Sequence, residues 1–386
     1  MKVALVYDRV NKWGGAERVL LALHKIFPDA PLYTSVYDKQ KAPWASVFKI
    51  KTSFLQNLPF TMNHEPFAVL MPLAFESFNF DEFDLVISVT SEAAKGIITK
   101  PKTKHICYCL TPTRYLWSGY DEYFKNSLLK LLSKPAVGYL RFWDKIAAQR
   151  PDRYIAISKE VQGRISRYYR RESEIVYPPV EFARQPRVSD DARLPNSKNQ
   201  QLDSASLSKI RLQSRTQPNF SSSESGLPHY FLIVSRLVRY KKIDLAVKAF
   251  NKLKLPLKIV GVGSGMKRLK TMAGSTIEFL GNLTDEELVE YYKGCCSLVI
   301  PGIEDFGLTI LEAQSFGKPV IAFRAGGALE TIVENKTGLF FSEQTSESLS
   351  AAIKQFSDMA IDPKDCIGNV QKYNFEKFKE SFLDRI

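Results

Sequence analysis

Along most of the chain, short apolar runs rich in β-branched and aromatic residues alternate with longer stretches of helical periodicity. In the first half the pattern predicts strands at Val3–Tyr7, Leu32–Val36, Leu85–Val89, His105–Leu110, Tyr154–Ile157 and Ile175–Tyr177. Between the first two, residues 16–26 put Val19, Leu20, Leu23 and Ile26 on one helical face. Ser158 stands after a strand and before a helical pattern, a good N-cap position. The alternation stops at Pro178-Pro179. Residues 183–229 are rich in Ser, Gln, Arg and Asn, with too few apolar groups to offset their ordering entropy, and read as a flexible insertion or linker. It resumes with strands at Tyr230–Val234, Leu257–Val260, Ile277–Phe279, Leu298–Ile300, Pro319–Ala322 and Gly338–Phe341. Helices are expected near 243–252, 284–293, 308–316 and 328–334, and a final one over 367–386 could cross back to the first half. Two such series in tandem predict an α/β protein of two parallel-sheet domains, 1–182 and 230–386, each with helices on both faces.

Composition narrows the partners. With 386 residues, 45% hydrophobic and 25% charged, the chain is globular and large enough for two cores. No apolar run approaches the roughly 18–20 residues a membrane-spanning helix needs. Only five residues of strand precede Asp8 and Arg9, so a signal peptide is not expected. Cys107, Cys109, Cys295, Cys296 and Cys366 form an odd set without CxxC spacing, which fits reduced core residues and a cytoplasmic location.

The net charge of +13 is uneven: residues 125–171 hold 12 basic and three acidic side chains, whereas 230–386 hold 21 and 19. Such a concentration suits an anionic partner, although a solvated basic helix face would read the same way. Within it, Leu128, Leu129, Leu131, Leu132, Tyr139, Leu140, Phe142 and Trp143 interleave with Lys125, Lys130, Lys134, Arg141 and Lys145. That mixture suits a segment lying in an anionic headgroup layer at a membrane face, and Pro135 predicts two short elements over one helix. No groove-reading motif accompanies the charge, so nucleic acid is not an expected partner.

The segment most specific for chemistry is 301–341. Glu304 follows a strand, where open α/β sheets place their ligands. Phe306-Gly307-Leu308 then opens a helix whose free N–H groups favour an anion, and Glu312 lies within that helix. Two carboxylates bracketing an anion site suit a nucleotide sugar, with hydroxyls at both ends and phosphate between. A helix cap and a surface ion pair would be the plainer explanation of each alone. Arg236 and Lys241, on the loop after the first strand of the second half, suit a diphosphate and the charge of a departing nucleoside diphosphate. The chain has no Asp-x-Asp pair, so neither a carboxylate-held metal nor a separate cofactor is expected. Gly14-Gly15, in the turn after the first strand, allows close approach of a phosphate or simply a tight turn. Residues 261–265, GVGSG, imitate a dinucleotide fingerprint but follow the second strand of their domain and lack the last glycine spacing. They leave an NAD-dependent oxidoreductase as a lesser alternative.

Together these motifs resemble the family 4 retaining glycosyltransferases of the GT-B fold, over nearly all of the chain outside 183–229. Glu304-x7-Glu312 looks like that family's Glu-x7-Glu signature; Arg236 and Lys241 match its diphosphate-binding pair, and Gly14-Gly15 its glycine loop. Residues 71–97 and 105–117 are similar to bacterial mannosyltransferases that build surface polysaccharides from GDP-mannose. The resemblance implies that Glu304 holds donor-sugar hydroxyls, Glu312 the ribose, and the backbone of Phe306, Gly307 and Leu308 the sugar and phosphates. It implies a lipid-linked saccharide acceptor on the first domain, beside Leu110, Arg114, Tyr115 and Trp117; core or interface packing is the alternative for the last three. One position departs from the pattern: relatives commonly read HTP where this chain reads Leu110-Thr111-Pro112. His105 has the opposite side-chain parity and is not expected to substitute. The missing histidine keeps a non-catalytic nucleotide-sugar binder open as a second reading.

Overall fold

The computed structural model describes residues 1–58, 65–123, 127–180 and 230–386. The predicted linker 183–229 and Lys125 lie outside them. Two all-parallel sheets organise the chain. The first contains β1 (Val3–Tyr7), β2 (Leu32–Thr34), β3 (Ile50–Thr52), β4 (Leu85–Thr90), β5 (Lys104–Cys109), β6 (Arg153–Ala156) and β7 (Glu174–Ile175), in the order β3-β2-β1-β4-β5-β6-β7. The second contains β8 (Tyr230–Val234), β9 (Leu257–Val260), β10 (Ile277–Gly281), β11 (Cys295–Ile300), β12 (Val320–Phe323) and β13 (Gly338–Phe341), in the order β10-β9-β8-β11-β12-β13. The central strands are buried on both faces, which is why they read as continuous apolar runs.

Both orders reverse beside their first strand, between β1 and β4 and between β8 and β11. Crevices for ligands open at such switch points, outside the carboxyl ends of the strands. The sequence missed β3, whose three residues Ile50-Lys51-Thr52 carry little periodic signal.

Two helix expectations need correction. A single helix Ser127–Ala147 runs through Pro135. Proline removes one N–H from the ladder, and Val137, Leu140 and Trp143 anchor the helix on its carboxyl side by burial. Conversely, the expected 367–386 helix is broken. Helix Pro363–Val370 ends in a short turn, Asn374 is extended and caps a new helix, Phe375–Leu383, by accepting from the Lys377 N–H. This last helix returns to the first domain. Phe378 and Phe382 belong to the core cluster that contains Leu5, Ile87 and Tyr108, with the Tyr108 ring 6.1 and 6.0 Å from theirs.

Candidate active site

The second domain's crevice is built by three loops that pack on one another. Gly302 makes the first approach possible: a Cβ there would lie 2.8 Å from the Lys241 Cα, so the β11 loop stacks on the β8 loop only without a side chain. Lys241 Nζ thereby reaches Glu304 Oε2 at 2.5 Å, both groups largely shielded from solvent. The third loop follows β12 and donates the Gly327 N–H to the Glu304 carbonyl at 2.8 Å, fixing the backbone that carries the carboxylate. Arg236 stands on the same β8 loop with its guanidinium on the Tyr240 hydroxyl. Gly307 has φ 93° and starts helix Leu308–Ser315, whose first turn no side chain caps. Its orphan N–H groups and dipole are left without a side-chain cap, an arrangement suited to an anion.

Glu312, one further turn along, is buried, accepts from the Tyr292 hydroxyl at 2.8 Å and has Arg18 Nε 3.8 Å away. Burial raises its carboxyl above the usual range; Arg18 and the Tyr292 hydrogen bond oppose this only in part. The predicted site residues of this domain therefore lie on two adjoining loops, after β8 and β11, and on the helix that the second loop opens. Phe306 is the exception in its side chain, which stacks on Tyr177 at 5.5 Å inside the interdomain core and leaves only backbone for a ligand.

The first domain's β1 loop closes over this crevice. A Cβ on Gly15 would lie 2.6 Å from Leu308 Cδ1, so the glycine loop touches the start of helix Leu308–Ser315. Arg18, on helix Gly15–Ile26, crosses to Asp285 at 2.8 Å, and the Trp13 indole N–H reaches the same carboxylate at 3.4 Å. Asp8 anchors the neighbouring rim: its carboxylate accepts from the N–H groups of Ser91, Ala93 and Ala94 and from the Thr90 hydroxyl.

The expected acceptor-side residues divide. Arg114 faces the second domain and pairs with Asp305 at 2.5 Å. Tyr115 donates to Glu92 Oε1 at 2.9 Å, and Glu92 in turn pairs with Arg9. Leu110 packs on the edge of the first core. Trp117 is partly buried, its indole N–H on Asp144 at 2.7 Å and its ring stacked on Tyr168, the packing role held open for it beside an acceptor role. Asp144 also takes the ammonium of the buried Lys95 at 2.5 Å. His105 is buried with Nε2 2.9 Å from the Ser88 hydroxyl. Burial, with Arg150 and Arg171, lowers its pKa to about 3, so it stays neutral within the sheet.

Sequence reasoning did not single out Asp305, which joins the two domains. Its two carboxylate oxygens take Arg114 and Arg164, each at 2.5 Å, and its carbonyl accepts from the Ser158 hydroxyl at 2.5 Å. Burial alone would raise this carboxyl; the two guanidinium groups outweigh it and hold it below the ordinary range. Ser158 caps helix Lys159–Tyr169 as expected, accepting from Val161, while its proton serves Asp305. Glu330 adds a second bridge, accepting from the Lys159 N–H and the Tyr177 hydroxyl, each at 3.0 Å.

The GVGSG segment has a structural explanation. A Cβ on Gly263 or Gly265 would collide with the Leu237 carbonyl, so these glycines let the β9 loop pack on the β8 loop. Among the described residues, no three His, Cys, Asp or Glu side chains are gathered to hold a metal ion.

Known proteins resemble this chain in sequence and in fold. Residues 215–373 match the family described as Glycosyl transferases group 1. The alpha-1,3/1,6-mannosyltransferase of Dictyostelium discoideum is 29% identical over an alignment covering 39% of this chain and 42% of its own. A GDP-mannose-dependent alpha-(1-6)-phosphatidylinositol monomannoside mannosyltransferase of Mycolicibacterium smegmatis is 29% identical, covering 34% and 38%. The chain thus spans about two fifths of the length of these curated relatives. Among solved structures, Anabaena HepE in complex with UDP-glucose superposes with a TM-score of 0.67 at 19% identity, covering 100% of this chain and 99% of that one. The two parallel-sheet domains are the GT-B fold, and the match to Glycosyl transferases group 1 covers about two fifths of the chain, most of it in the second domain.

Proposed function

We propose that the protein is a retaining glycosyltransferase that moves a hexose, mannose from GDP-mannose, to a hydroxyl of a lipid-linked saccharide in surface polysaccharide synthesis. The observation that carries this reading is the Lys241–Glu304 pair, set beside Arg236 at the open start of helix Leu308–Ser315. In the reaction the bond from the sugar's anomeric carbon to the diphosphate oxygen breaks as the acceptor oxygen attacks from the same face. The acceptor's proton passes to the departing phosphate. Arg236, Lys241 and the helix N–H groups take up the charge that develops there, donors already in place before the reaction. Glu304 holds the sugar hydroxyls and orients Lys241, Glu312 holds the ribose, and the backbone of Phe306 and Leu308 lines the space between. Because the leaving phosphate is itself the base, Leu110 in place of a histidine is compatible with turnover.

Support for mannose comes from the two mannosyltransferase relatives; the HepE complex holds UDP-glucose, so the donor must be tested directly. Radiolabelled transfer from GDP-mannose, UDP-glucose and UDP-N-acetylglucosamine to a membrane extract decides it. GDP-mannose should label the lipid fraction most. Stabilisation by a donor without transfer from any would instead identify a nucleotide-sugar binder, and stabilisation by NAD alone an oxidoreductase.

A further inference from the structure

Beside the donor loops, between the domains, lies a cavity of about 210 Å³ lined by Arg114, Tyr123, Arg164, Tyr240, Lys242 and Gln344, among others. Arg236, Lys241 and Glu304 are not on its wall. Tyr240 divides the two spaces. Its hydroxyl takes Arg236 on the donor side, and the Arg114 guanidinium lies 4.7 Å from its ring centre on the other. Asp305 fixes Arg114 and Arg164 with one oxygen each, and Glu160 takes another edge of Arg164 at 2.8 Å. A guanidinium carries five N–H donors, so these contacts orient each fork without consuming it.

Lys242 comes from the opposite wall with φ 54°, a left-handed backbone that a non-glycine residue adopts at some strain. The lining residues thus include Arg114, Arg164 and Lys242 and no acidic side chain, an arrangement that favours an anion. The volume is below the roughly 300–1,000 Å³ of pockets that enclose whole drug-sized ligands, so it suits one group on a larger molecule.

We propose that this cavity is a second anion site, separate from the donor diphosphate site, and that it binds a phosphate or carboxylate group carried by the acceptor. The assignment to an acceptor rests on the glycosyltransferase reading; the anion site itself does not. Two arms keep these apart. In the first, the donor site is saturated with GDP or UDP, whichever stabilises more, and inorganic phosphate is titrated by thermal shift. Phosphate should stabilise the wild type further. Binding should weaken about tenfold in Lys242→Gln, the loss of one charged hydrogen bond, and likewise in Ser118→Asp, which sets a like charge on the wall. Ser118 is an exposed residue of the same wall, so its variant keeps the fold, and both variants should bind the nucleotide as the wild type does. No added stabilisation, or equal stabilisation of all three proteins, overturns the site.

The second arm measures transfer at increasing phosphate. Inhibition competitive with the acceptor, and a raised acceptor KM with little change in donor KM for Lys242→Gln, support the acceptor-borne group. Inhibition that acceptor does not relieve means that the ligand is free phosphate and overturns that assignment. Absence of transfer from every donor would refute the proposed function and leave the first arm to decide the cavity.

Discussion

In the proposed function Glu304 and Arg236 serve different parts of the donor, and single substitutions should separate them. Glu304→Gln keeps the shape and removes the charge that pairs with Lys241. Transfer should fall about a hundredfold or more, the scale of losing one group that acts on the transition state, while free GDP binds nearly as before. Arg236→Ala should weaken GDP itself by about 1.5–3 kcal/mol, because the lost hydrogen bonds are charged. Calorimetry with GDP on both variants checks this; equal losses would contradict the division. Glu312 makes a further case. Its carboxyl is raised by burial above the 4.5 of a free side chain. A raised folded-state pKa contributes stability that is complete below the unfolded value and lost as pH rises through the folded one. Glu312→Gln keeps an acceptor for the Tyr292 hydroxyl and carries no charge. The variant should therefore match the wild type near pH 4 and melt higher than it at pH 7, while binding GDP more weakly. A wild type that melts higher at pH 7 would show that Arg18 more than offsets the burial.

At the scale of elements, the crevice depends on loops that lie closer than side chains allow. Gly302→Ala would force a Cβ against the Lys241 backbone and push the β11 and β8 loops apart. Overpacking of this kind costs about 1–3 kcal/mol, so the protein should stay folded. Transfer should nevertheless fall at least tenfold as Lys241 and Glu304 separate, since misplacement of about an ångström can cost a hundredfold. Melting temperature and kcat measured together test it, and unchanged kcat would detach the loop contact from catalysis. These loops also explain what was legible in the sequence. Glu304, Arg236 and Lys241 could be found because each stands just after a strand whose apolar run is visible locally. Asp305 could not, although it neighbours Glu304, because its meaning lies in Arg164, 141 positions away. Arg18 and Asp285, 267 apart, are hidden for the same reason. Pro135 misled in the other direction: a local rule predicted a break that packing of the following turns overrides.

For the whole molecule, the long helix Ser127–Ala147 matters because only part of its circumference is covered. Val137, Leu140, Trp143, Asp144 and Ala147 are buried against the first domain. Leu131, Leu132, Tyr139, Phe142 and Ile146 are exposed, Leu132 at 68% and Phe142 at 69%. At about 100° per residue these five share one face, and Lys130, Lys134, Arg141 and Lys145 form a basic stripe between it and the buried face. Leu73, on the neighbouring helix Met71–Glu76, is exposed as well. No helix of the described residues is long and apolar enough to cross a membrane. An exposed apolar face beside a basic stripe suits a helix lying in a headgroup layer, and we propose that this helix docks there with its bases on anionic lipid. The helix is part of the domain that holds the acceptor in the proposed function, so docking there would bring a lipid-linked saccharide to the crevice from the membrane. Liposome co-sedimentation tests this on the full chain. Anionic vesicles should bind the protein at low salt and release it as salt rises, because exposed charges are screened. Lys130→Glu with Lys134→Glu should weaken binding roughly tenfold or more, at about 1 kcal/mol per basic residue near the surface. Phe142→Glu should weaken it without changing the salt dependence as much, since it removes the apolar anchor and leaves the basic stripe. Equal recovery with neutral vesicles, or none with either, would return the apolar face to a protein partner or to solvent.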